Sequence, residues 1–181
     1  MRKTIAVDID GVLADTVGYY LTKLHELTGQ VVDRKSLEGK SEKEAIEDPA
    51  LFFKVLNTPG FFRTIPVMPG ALETMLFLNA HFELYICSAA MEFPNSFREK
   101  FDWIREHFSY VDWKHIIFCG NKNIVATDYM LDDYPRNLEY FQGTGILFSA
   151  FHNCAETRFD RVDNWEDVKR YFRPAAAEMI S

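Results

Sequence analysis

The chain has 181 residues, 48% hydrophobic and 26% charged, with 20 Lys+Arg against 27 Asp+Glu and a formal net charge of −7. This size and composition fit one folded domain, or one with a modest insertion, and exclude a disordered chain, a collagen and a disulfide-stapled miniprotein. The acidity argues against a general binder of nucleic-acid polymers, which needs clustered Lys and Arg, but leaves a small phosphorylated ligand open. Ile5–Ile9 is a short, β-branched-rich run, as in a strand buried on both faces, and Gly11 breaks it. From Ala14 to Leu27, the residues Val17, Tyr20, Leu21, Leu24 and Leu27 recur at helical spacing, and Gly29 stops the pattern. Ser41–Glu44 has the capping-box spacing of a helix start, and Ala50–Leu56 is a second short helix. Met68–Gly70 opens another helix, Phe82–Cys87 reads as a strand, and Ser96–Phe108 is amphipathic at helical period. His115–Cys119, Tyr129–Leu131 and Thr144–Ser149 are further strands, and Asn164–Phe172 is a final helix. Strands alternating with helices predict an α/β domain with a mainly parallel sheet. The block from Thr16 to Pro66 has helices but no clear strand, and reads as a helical insertion after the first strand.

Cys87, Cys119 and Cys154 are odd in number and show no CxxC spacing, so Cys87 and Cys119 are expected as buried thiols rather than a disulfide framework or a zinc site. The N-terminal Met1–Thr4 runs directly into the first strand with no apolar signal region, and no apolar run approaches the roughly 18 residues of a membrane span. The expectation is a soluble cytoplasmic protein with no membrane partner.

Four polar signals each sit just beyond an apolar strand. They are Asp8 and Asp10–Gly11, then Ser88, then Lys122, then Asp132–Asp133. In parallel α/β sheets ligands bind at the carboxyl ends of strands, so the four are expected to converge on one crevice. The chemistry they suit is phosphoryl transfer through a covalent aspartyl intermediate. Asp8 would attack phosphorus, and Asp10, two residues on, would protonate the leaving oxygen and then deprotonate the attacking water. Carboxylates packed this closely call for a hard cation, and Mg²⁺ would draw on Asp8, the Asp10 carbonyl and one acid of the Asp132–Asp133 pair. Ser88 and Lys122 would serve the remaining phosphate oxygens.

In this order the four segments resemble the motifs of the haloacid dehalogenase (HAD) superfamily of Mg²⁺-dependent phosphatases. Within it, Asp8–Asp15, Pro69–Ala71, Ile86–Ser88, Glu99–Trp103, Leu131–Asp133, Ala150–Asn153 and Asn164–Asp167 resemble the 5′(3′)-deoxyribonucleotidase family. The resemblance implies a Rossmann-like HAD core over residues 1–15 and 67–181, with a small helical cap over 16–66. It implies Asp8 as nucleophile, Asp10 as acid and base, Asp133 as side-chain Mg²⁺ ligand with Asp132 orienting the site, and Lys122 as the phosphate lysine. Lys100, in the middle of a helix, is expected to face solvent. The implied substrate is a small phosphomonoester, a nucleoside monophosphate. A sugar phosphate as substrate, or a silent phosphate-binding module on the same fold, stays as an alternative, and homodimerisation stays open. The chain departs from the family's pattern at Thr16, where relatives carry an aromatic that stacks on the base, and at Tyr134, where an Arg often follows the aspartate pair.

Thr16, Phe52 and Phe61 are the candidate substrate-facing residues of the cap, although the cap's paired phenylalanines, Phe52–Phe53 and Phe61–Phe62, are expected first as its own core. Arg63 is expected in solvent, His152 as a structural hydrogen-bonder, and Trp103, Trp113 and Trp165 as packing residues.

Overall fold

The computed structural model describes residues 2–40, 44 and 48–178. Six strands form one sheet: β1 (Thr4–Val7), β2 (Glu83–Ser88), β3 (Ile116–Phe118), β4 (Tyr129–Asp132), β5 (Thr144–Phe148) and β6 (Asp160–Val162). Every pairing is parallel, in the order β3-β2-β1-β4-β5-β6. The chain therefore winds outward from β1 to β3, returns to the middle and winds the other way. The reversal falls between β1 and β4, and a crevice opens at the carboxyl ends of those two strands.

Helices connect the strands: α1 (Thr16–Thr28), α2 (Pro49–Leu56), α3 (Ala71–His81), α4 (Ser96–His107), the single turn α5 (Pro135–Leu138) and α6 (Trp165–Glu178). Asp15 caps α1 by accepting from the Gly18 amide at 3.0 Å, and Gly29 ends it in the left-handed region at φ 73°. Residues Ser41–Lys43 of the predicted capping box lie outside the described residues. The sixth strand has no counterpart in the sequence reading, because its three residues, Asp160, Arg161 and Val162, offer only one apolar side chain. No helix among the described residues is long and apolar enough to cross a membrane.

The central strands are buried on both faces, as their apolar runs require. Ile5 and Val7 pack with Leu84, Ile86, Leu131 and Ile146 on one face, and Ala6 with Cys87, Met130 and Leu147 on the other. Each Val, Leu, Ile or Met among them contributes on the order of 1.5–3 kcal/mol by leaving water. Two tryptophans tie the core to the loops around the crevice. Trp165 Nε1 donates to the Val12 carbonyl at 2.9 Å, and Trp103 Nε1 to the Ile65 carbonyl at 2.7 Å. Trp113 departs from expectation: it is 66% exposed, since it opens a one-turn 3-10 helix at the surface instead of facing the sheet. Cys87 is buried and Cys119 half-buried, with their sulfurs 3.9 Å apart and no disulfide between them.

Candidate active site

The turn after β1 builds half of the site. The Asp8 amide extends the β1–β4 ladder by donating to the Leu131 carbonyl at 2.9 Å, and the amides of Leu13 and Ala14 fold back onto the Ile9 carbonyl. This places Asp8 and Asp10 just past the carboxyl end of β1, on the floor of the crevice. Gly11 lies at φ 75°, and a Cβ there would come within 2.3 Å of Asp133 Oδ2. Both the backbone conformation and the neighbouring carboxylate therefore demand glycine. Gly11→Ala is expected to cost about 1–2 kcal/mol for the left-handed residue alone. Denaturant titration together with a metal titration checks this, and unchanged values for both would place the Asp133 carboxylate elsewhere.

The end of β4 supplies the other half. Asp132 is fully buried. Its Oδ1 accepts from the Tyr134 amide and from Asn137 Nδ2, both at 2.9 Å, and its Oδ2 lies 2.6 Å from Lys122 Nζ. Lys122, in the 3-10 turn after β3, also reaches Asp8 Oδ1 at 2.6 Å. Asp132 is thus committed to hydrogen bonds that hold Lys122 and the following loop. Burial alone would pull the Lys122 pKa down, but Asp132 and Asp8 outweigh it and keep the ammonium charged. Burial pushes the Asp8 carboxyl up to about 7, against the pull of Lys122 and with repulsion from Asp132 and Asp10 added. One carboxylate oxygen from each of Asp8, Asp132 and Asp133 lies within 4.8 Å of the others, and all three residues are buried. His152 Nε2 and Asn153 Nδ2 fix the Asp133 carbonyl at 3.0 and 2.7 Å. His152 therefore has the structural role expected of it.

Around Asp10 the structure corrects one expectation. Lys100 does not face solvent: it is 4% exposed, and its Nζ lies 2.5 Å from Asp10 Oδ2 and 3.3 Å from Ser88 Oγ, above the Phe62 ring. Ser96, Lys100, Trp103 and Ile104 form the buried face of α4. The same helical periodicity that marks Trp103 and Ile104 as core puts Lys100 beside them, and that was the available signal. The flanking Glu99 accepts from the amides of Gly60 and Phe62 at 2.7 and 3.0 Å. One turn of α4 thus clasps the 60–65 segment with Glu99 and Trp103 while Lys100 points inward. Ser88 is fully buried and its hydroxyl donates to Asp10 Oδ2 at 3.3 Å, so it meets the acid rather than lining the open cleft. Thr16 Oγ1 donates to Asp10 Oδ1, also at 3.3 Å.

The cleft, about 860 Å³ including its mouth, is lined at its floor by Asp8, Asp10, Lys100, Lys122 and Asp133. Its wall is apolar, from Tyr20, Phe52, Leu56, Phe62 and Phe93. Phe52 lines it as expected. Phe61 does not: it is buried against Tyr19 and Phe62, because neighbouring residues of a turn point different ways. Arg63 pairs instead with Glu106 near the surface. With all ionised, the four carboxylates at and just beneath the floor (Asp8, Asp10, Asp132, Asp133) exceed the two ammonium groups (Lys100, Lys122) by two negative charges. That deficit, made of hard oxygen donors, suits one divalent cation.

Solved structures with this architecture include a haloacid dehalogenase-like protein of Agrobacterium tumefaciens, with a TM-score of 0.63 and 12% identity over 97% of this chain and 100% of that one. A HAD family hydrolase of Deinococcus radiodurans, solved with bound phosphate and sodium, superposes with a TM-score of 0.63 at 15% identity over 98% and 96%. In sequence, the 5′(3′)-deoxyribonucleotidase of Bacillus subtilis strain 168 is 34% identical over 170 residues, spanning 94% of this chain and 98% of its own. A Staphylococcus epidermidis protein provisionally given the same name is 46% identical over 172 residues, spanning 94% and 96%. A family profile described as 5′ nucleotidase, deoxy (pyrimidine), cytosolic type C matches residues 2–177. With a haloacid dehalogenase-like fold and family similarity along nearly its whole length, the chain belongs to the 5′ nucleotidase, deoxy (pyrimidine), cytosolic type C family.

Proposed function

We propose that this hydrolase removes the phosphate from (deoxy)ribonucleoside monophosphates through a phosphorylated Asp8, with Mg²⁺ as its cation. The observation that carries the reading is the buried Asp8–Asp132–Asp133 cluster at the sheet's reversal point, with Asp10 facing the same cleft. Asp8, the Asp10 carbonyl and Asp133 would hold the cation, which when bound neutralises charge and polarises the phosphoryl oxygens.

The chain's own residues supply the rest. Lys122 orients Asp8 and favours its ionised form, the form that attacks phosphorus. As the new Asp8–phosphorus bond forms and the ester bond breaks, Asp10 gives a proton to the departing nucleoside oxygen. Asp10 then takes a proton from water, which attacks the same phosphorus, releases phosphate and restores Asp8. Thr16, Ser88 and Lys100 fix the Asp10 carboxyl for both transfers. Residues 16–66 act in this reading as a cap. The placement of Thr16, Tyr20, Phe52 and Leu56 in the cleft wall supports it, and such a flat apolar wall suits stacking on a base. The family's description as cytosolic supports a cytoplasmic setting.

Phosphate release from a panel of ribo- and deoxyribonucleoside 5′- and 3′-monophosphates and sugar phosphates tests the reading. The nucleotides are expected to be turned over, with activity lost on chelation and restored by MgCl₂, and MgCl₂ should raise the Tm. Preference for a sugar phosphate would overturn the nucleotide assignment, and full activity after chelation and dialysis would overturn the metal assignment.

A further inference from the structure

Among the described residues, three cationic side chains line the cleft: Lys100, Lys122 and Arg136. The first two are already engaged by carboxylates, Lys100 by Asp10 at 2.5 Å and Lys122 by Asp8 and Asp132 at 2.6 Å. Arg136, by contrast, is exposed and makes no ion pair or side-chain hydrogen bond among the described residues. Its guanidinium lies 4.8 Å from the centre of the Tyr134 ring. Tyr134 in turn stacks on His152, with ring centroids 4.2 Å apart at 21°, and His152 holds the Asp133 carbonyl. Stacking on an aromatic face orients a guanidinium while leaving its edge N–H groups free, and that fork matches phosphate geometry.

The charge balance asks for such a group. A phosphomonoester dianion meets a floor whose two lysines are each tied to carboxylates, and a divalent cation only brings that floor to neutrality. Among the described residues, Arg136 is the one positive group of the cleft not committed to a carboxylate. It stands on the same β4–α5 segment as Asp132 and Asp133, whereas the apolar wall comes from α1, α2, Phe62 and Phe93. Its segment thus adjoins the carboxylate floor and not the apolar wall. We propose that Arg136, carried on the Tyr134–His152 stack, captures the phosphoryl dianion of the substrate. This rests on the phosphatase reading and adds to it the residue that recruits the anion.

Steady-state kinetics of Arg136→Gln, on a nucleoside monophosphate and on p-nitrophenyl phosphate, tests the assignment, together with inhibition by inorganic phosphate. KM is expected to rise about tenfold for both substrates, as befits a lost charge-assisted pair. The inhibition constant for inorganic phosphate should rise by the same factor. The loss should fall more on KM than on kcat, and Arg136→Lys should recover part of it. A KM and an inhibition constant within twofold of wild type would overturn the proposal. So would a rise confined to the nucleotide, which would put Arg136 on the sugar or base. A wild-type protein that hydrolyses neither substrate would instead refute the phosphatase reading itself, and this proposal with it.

Discussion

Asp8→Asn is expected to lower kcat by on the order of 10⁵, the scale of losing a covalent nucleophile. The substitution keeps the shape of the side chain, so the fold, the Lys122–Asp132 pair and the cleft should persist. Circular dichroism unchanged beside a collapsed phosphate-release rate is the expected result, whereas activity within tenfold of wild type would refute attack by Asp8. The same variant has a stability signature. Burial holds the Asp8 carboxyl at about 7, above its unfolded value of 3.8, so the native metal-free protein binds that proton more tightly than the unfolded chain. Stability from this group is therefore present at low pH and lost as pH rises from about 4 to about 7. Asparagine has no proton to lose, so the variant should lack that decline, which denaturant titrations at pH 5 and pH 8 with chelator would reveal.

Lys122→Met should carry the largest stability cost. Lys122 is 2% exposed and stands between two buried carboxylates, so its removal leaves Asp8 and Asp132 without a counter-charge. Breaking a buried pair from one side costs about 3–5 kcal/mol, or about 10 °C in Tm for a chain of this size. Adding Asp132→Asn to that background should recover part of the loss, because it removes one stranded charge. Lys100→Met should cost less, since the Asp10 carboxylate retains contact with water. Equal losses for the two lysines would contradict the buried bridge.

Both arguments rest on residues whose legibility in the sequence differed. Asp8, Asp10, Lys122, Asp132 and Asp133 were readable because each follows a short apolar strand, and parallel topology delivers strand ends to one edge. The first five strands were readable for the same reason. Lys100 reads from the sequence as solvent-facing, although its spacing from Trp103 and Ile104 marks the buried face of α4. A lysine among apolar residues is ordinarily solvated, and only the tertiary placement of Asp10 gives this one a partner. Phe61 and Phe62 are not distinguished by the sequence either. They lie in turns and loops, where no periodicity fixes which ring faces the cleft. The third strand of the returning half, β6, was hidden by its charged residues and its brevity.

The strand order has a consequence for how the molecule is assembled. Asp8 is made early in the chain, while Lys122 and Asp132, which offset its burial, come after most of it. A folding intermediate that paired β1 with β2 alone would bury a carboxylate with no cation beside it, which is unfavourable. Docking of β4 against β1 brings Lys122 and Asp132 with it and closes a long loop in the same step, the kind of non-local event that slows folding. Recovery of activity on refolding should therefore coincide with the last cooperative phase seen by tryptophan fluorescence, since the site and the middle of the sheet are completed together.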